Sequence, residues 1–68
     1  MKIKNTKDIA SKVKDERKKQ NLTQTQLAGL CNVGVRFIVD LEAGKETCQI
    51  SKVLLVLDIL GINLTTED

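Results

Sequence analysis

Sixty-eight residues suffice for one small domain, which excludes an active-site cleft built between lobes. There is no His, Trp, Tyr or Pro, and Phe37 is the only aromatic residue. The chain therefore lacks a histidine-assisted nucleophile, a Cys/His zinc set and the ring faces that stack single strands; no enzyme, metal or cofactor is expected, while duplex DNA is still permitted as a partner. The net charge of +2 hides an imbalance: residues 1–20 hold eight Lys/Arg against three acids, residues 21–68 three against six. A basic end of this kind is either a solvated helix face or an edge that meets phosphates.

The first helix is predicted to open after Asn5 or Thr6 and to run to about Gln20. Its apolar side is Ile9, Ala10 and Val13, and one turn beyond Val13 lies Arg17, a charged residue on the inward face that needs a partner. Leu22 to Leu27 is the clearest local signal. Thr23 caps a helix start, Gln26 three residues on reaches back, and Leu22 staples onto Leu27. That helix should begin at Gln24 and end near Cys31, because Asn32 tolerates the left-handed backbone a tight turn needs.

A third helix is expected from Val35 to Ala43, stopped by Gly44, with Ile38 and Leu41 inward and Val35, Arg36, Val39 and Asp40 outward. In a fourth, Ile50, Val53, Leu54, Leu57 and Leu60 repeat at helical spacing before Gly61. Leu55, Val56 and Ile59 widen its apolar surface beyond one side. In so small a protein, where core burial and chain ordering nearly cancel, that second side is expected to bury against a twin chain. Ile62 and Leu64 alternate with Asn63, a short strand signal that would pair at the same dimer interface or near Lys2 to Lys4. Cys31 and Cys48 both read as reduced core thiols in apolar, helix-like surroundings. The longest apolar run, Val53 to Leu57, is too short to span a membrane and no apolar signal block opens the chain, so a cytoplasmic protein is expected.

Two short helices joined by a three-residue turn, residues 24–43, make a helix-turn-helix, with Ala28 small where the helices approach and Val33, Ile38 and Leu41 locking the pair. The pattern Gln24-Thr-Gln-Leu27-Ala28, Asn32-Val33, Ile38, Leu41-Glu42-Ala-Gly44-Lys45 resembles the Xre/Cro/lambda-repressor-like DNA-binding family over about residues 8–61. It departs from the family at Asn32, usually Gly, and in having no Pro after Lys45; Asn can serve the same backbone role. The run from Val33 to Lys45, followed by Lys52-Val-Leu, Leu57-Asp58 and Gly61, is more narrowly similar to HipB-type antitoxin repressors.

The resemblance implies an all-α, lambda-repressor-like bundle of four to five helices, one domain over residues 1–68. It implies a major-groove helix from Val35 to Ala43, with Val35, Arg36, Val39 and Asp40 as base-contacting candidates. Arg36 can bond guanine O6 and N7 together; Asp40 either accepts from a cytosine amino group or orients Arg36. Gln24, at a helix N-terminus, is expected to hold a phosphate as the family position does, joined by Lys45 and by Lys14, Lys18 and Lys19 of the first helix. Phe37 is expected to pack at the core edge. The family also pairs the positions of Arg17 and Glu42 in a partly buried ion pair.

A dimer interface of Leu55, Val56, Ile59, Ile62 and Leu64 completes the expectation. So constituted, the chain is expected to be a homodimeric, nucleoid-associated repressor of its own operon, an antitoxin binding operator DNA and a HipA-like kinase toxin or its split-chain form. With little chain outside the helix-turn-helix, no ligand-sensing domain is expected, which favours regulation through protein partners. A free-standing phage-type regulator, or a helical interaction module without DNA binding, are the alternatives.

Overall fold

The computed structural model describes residues 4–63, and among them are four helices and no strand: α1 (Thr6–Lys19), α2 (Gln24–Cys31), α3 (Val35–Glu42) and α4 (Ile50–Ile59). Each start has a local cause. Asn5 caps α1, its side chain accepting from the Asp8 amide at 3.0 Å. Thr23 and Gln26 satisfy each other's backbone N–H groups at the head of α2, at 3.0 and 2.8 Å, which uses two of the donors a helix start leaves unpaired. The ends follow the same logic. Asn32 sits left-handed (φ 55°, ψ 45°), so the Val33 amide reaches back to the Ala28 carbonyl and the chain turns into α3 after one further residue.

Gly44 (φ 82°) closes α3 in the same way: its amide donates to the Leu41 carbonyl and that of Lys45 to the Asp40 carbonyl. Thr6 fastens this turn to α1, its hydroxyl donating to the Gly44 carbonyl at 3.0 Å. A Cβ at Gly44 would meet the Lys7 side chain at 3.5 Å and its Cα at 3.8 Å, both ordinary contacts, so backbone strain decides the effect of substitution. Gly44→Ala is expected to cost about 1–2 kcal/mol, the usual penalty for an L-residue held left-handed. A thermal melt should show a loss of at least about 4 °C; an unchanged midpoint would contradict the account.

The core is drawn from all four helices. Val13 of α1, Leu27, Ala28 and Cys31 of α2, Ile38 and Leu41 of α3, and Val53, Val56 and Leu57 of α4 are buried together with Leu60 and Ile62. Leu22 and Val33 pack against this cluster from the connections flanking α2, and Ile9 and Phe37 from α1 and α3. Gln20 ties the end of α1 to the end of α4, its amide donating to the Leu60 carbonyl at 3.0 Å.

Four expectations need correction. The inward face of α4 is Val53, Val56 and Leu57, continued by Leu60, whereas Ile50 and Leu54 are 65 % and 49 % exposed. The cause is the helix's approach: Val56 lies one turn after Val53 and four residues before Leu60, so centring the buried stripe on these three turns Leu54 outward. Val56 is accordingly wholly enclosed in its own subunit and Ile62 is buried in the same core, so neither can form a dimer interface as expected. Ile62 lies in no strand: the left-handed Gly61 (φ 76°) folds the chain back, and the Ile62 amide donates to the Leu57 carbonyl at 2.8 Å. Leu64, Lys2 and the strand pairing expected of them lie outside the described residues. Cys31 is a buried helical thiol, which burial pushes above its ordinary pKa and so keeps unreactive. Cys48 also packs against the core, but half-buried and from the loop before α4 rather than from a helix; both are free.

Candidate nucleic-acid interface

Helix α3 has two distinct faces. Ile38, Leu41 and Glu42 point inward, while Val35 is 45 % exposed and the Arg36 side chain 85 % exposed. The motif's turn thus leaves the first two residues of α3 projecting from the molecule. Val39 and Asp40, expected on the same outward face, are half-buried at its margins. Phe37 lies on the opposite margin, partly buried against the core with the Lys52 ammonium 6.0 Å from its ring centre, which is an interior and not a surface role.

Asp40 is engaged on both oxygens: Arg36 Nε lies 3.4 Å from Oδ1 and Lys45 Nζ 3.5 Å from Oδ2. Two candidate DNA contacts, one on α3 and one in the loop after it, therefore share one carboxylate.

Behind this face is a buried polar cluster. Glu42, 2 % exposed at its side chain, accepts from Arg17 Nε at 2.7 Å and Nη2 at 3.0 Å, and Arg17 Nη1 donates to the Leu22 carbonyl at 2.7 Å. Each of the three guanidinium nitrogens donates one hydrogen bond. The hydrogen bond to Glu42 holds the Arg17 pKa above its already high ordinary value, outweighing the opposing effect of burial, so the guanidinium stays charged. A third member was not anticipated: Gln24 Nε2 donates to Glu42 Oε1 at 3.3 Å. The residue expected to hold a phosphate at the head of α2 is thus positioned by the same carboxylate that anchors α3, and its second amide hydrogen is free of that bond. The signal was present in the sequence only as separate halves, an inward Arg17 and a first-turn Gln24.

The basic flank of α1 divides. Lys14 and Lys18 are four apart and share one side, and Lys7, seven before Lys14, extends that stripe; spacing alone could have found it. Lys7, Ser11 and Lys14 line an open groove of about 410 Å³ that reaches Ala43 and Gly44 at the end of α3. Lys19 leaves the stripe and lies 3.6 Å from Glu16, which Lys12 also approaches at 3.4 Å. Among the described residues no cluster of His, Cys, Asp and Glu could hold a metal ion, and no helix is long and apolar enough to cross a membrane.

A bundle of this connectivity, with the motif's second helix partly exposed and braced by a first helix of equal length, is the architecture of helix-turn-helix proteins. The helix-turn-helix family model matches residues 13–66, and the chain belongs to that family, in its Xre-like form. An uncharacterized HTH-type transcriptional regulator, y4mF of Sinorhizobium fredii (strain NBRC 101917 / NGR234), is 58 % identical over 62 residues, covering 91 % of this chain and 82 % of the relative. Among solved structures, a chain of the HipB-O4 20mer complex superposes with a TM-score of 0.89 at 22 % identity, covering 100 % of this chain and 96 % of that one. At that identity the likeness is one of fold.

Proposed function

We propose that the chain is a homodimeric, sequence-specific DNA-binding repressor that inserts α3 into the major groove, and that it is the antitoxin of a HipA-like kinase toxin system repressing its own operon. The observation that carries the DNA-binding part is the 85 % exposure of Arg36 on a helix whose other face is locked in the core. A fork held out from a rigid helix is what guanine reading requires, and a side chain exposed to that degree serves no packing purpose. Val35 beside it offers a methyl surface to thymine; Lys45, Gln24, Lys14 and Lys18 supply phosphate contacts around it. The name of the Sinorhizobium relative supports regulation of transcription. The sequence likeness of residues 33–45 to HipB-type antitoxins, together with the HipB fold, supports the antitoxin assignment.

The dimer rests on α4. Leu54, Leu55 and Ile59 are 49 %, 41 % and 42 % exposed on a helix whose inner side is already filled, and a two-fold partner presenting the same residues would cover them.

The test begins with selection of a duplex from a random-sequence pool by the purified protein. The selected site should contain two half-sites about one helical turn apart, and affinity should fall steeply with salt, by a log–log slope of about −0.9 for each phosphate neutralised. Ile59→Asp should convert the protein to a monomer in sedimentation and abolish joint occupancy of the half-sites. Failure to select any sequence sinks the DNA-binding reading; a wild-type monomer on the selected duplex sinks the dimer. Co-purification with a kinase-like protein encoded by the adjacent reading frame tests the antitoxin assignment.

A further inference from the structure

The charges of α3 run against its own dipole. A helix favours anions in its first turn and cations in its last, yet Arg36 stands in the first turn of α3 and Asp40 and Glu42 in the last. Glu42 is accounted for by Arg17. The Arg36–Asp40 pair is not accounted for by helix stability, since its order is also the weaker one for residues four apart. Nor is the pair a core contact, because Arg36 is 85 % exposed. Its geometry is specific all the same. Asp40 Oδ1 lies 3.4 Å from the inner nitrogen, Nε, of Arg36, and the guanidinium carries in addition two terminal NH₂ groups, the end of the fork that can meet two acceptors at once. Asp40 is itself held in place by Lys45, through the ammonium at 3.5 Å and through the backbone bond from the Lys45 amide to the Asp40 carbonyl at 3.1 Å.

We propose that Asp40 is a positioning residue that sets sequence discrimination, and that it does so without touching a base. This rests on the DNA-binding reading above. On a phosphate backbone lacking the right bases, the carboxylate opposes binding, because it neutralises part of Arg36 and Lys45 and repels phosphate oxygens. On the correct site a phosphate takes over Lys45, Asp40 is left wholly to Arg36, and the guanidinium meets guanine in an orientation already selected. The carboxylate thus weakens non-operator binding and preserves operator binding.

Asp40→Asn removes the charge while keeping the shape at this half-buried position, and an unchanged thermal melt establishes that the variant is folded. Binding is measured on a duplex selected by the wild-type protein from a random pool and on an unselected duplex of equal length, across a salt series. The variant should bind the unselected duplex about fivefold tighter with a steeper salt slope, while its preference for the selected duplex falls about tenfold, within the range one bidentate contact commands. Asp40→Glu should restore part of that preference. Two results overturn the proposal: unchanged affinities on both duplexes, or a loss confined to one base pair of the selected site with non-operator binding unaltered, which would make Asp40 a direct reader. If the wild-type protein selects no duplex at all, the functional reading itself has failed, and that outcome is distinct from either.

Discussion

Glu42→Ala is expected to destabilise the domain by about 3–5 kcal/mol, because it strands a guanidinium that is only 12 % exposed and, among the described residues, has no other carboxylate against it. For a chain of this length total stability is about 3–10 kcal/mol, at roughly 0.05–0.15 kcal/mol per residue. The substitution should therefore lower the thermal midpoint by more than about 12 °C, or leave much of the protein unfolded at room temperature. Because that variant can fail to fold outright, the informative companion is the double replacement Arg17→Met with Glu42→Leu. It exchanges a buried charge pair for apolar groups of similar size and should recover most of the loss. A melting curve for Glu42→Ala that overlays the wild type would refute the pairing as a structural brace.

Arg36→Ala should do the reverse, sparing the fold and abolishing recognition. Preference for the selected duplex should drop by about 5- to 150-fold, the equivalent of ~1–3 kcal/mol for one bidentate contact to guanine. The melting temperature should hold or rise slightly, since a cation is removed from the positive end of α3. The comparison is quantitative competition binding alongside calorimetry. A variant that melts early and still discriminates would move the reading role elsewhere on the molecule.

How much of this was legible beforehand depended on whether the cause was local. The start of α2 at Gln24 and its stop at Asn32 were readable because capping chemistry and left-handed tolerance belong to individual residues. The exposure of Arg36 followed from the spacing of Ile38 and Leu41. The rotation of α4 was not readable. With Val53, Leu54, Leu55, Val56 and Leu57 in succession, several inward stripes are equally apolar, and only packing against the other helices chooses Val56 over Leu54. Ile62 was misplaced for a related reason: alternation with Asn63 suggested a strand, but the turn at Gly61 folds it into the core. In the candidate site, residue types were legible and their connections were not. Neither Gln24 with Glu42 nor Lys45 with Asp40 is marked by any short-range pattern, since 18 residues and a turn separate the first pair and a loop geometry creates the second.

The division of α3 into a face that folds the protein and a face that does not has an evolutionary corollary. Val35 and Arg36 contribute almost nothing to the enclosed interior, so exchanging them carries little risk of collapse, whereas Ile38, Leu41 and Glu42 tolerate no such freedom. On the DNA-reading role proposed for α3, descendants of this chain can therefore drift to new target sequences by one or two substitutions at the tip of the helix, with the scaffold inherited intact.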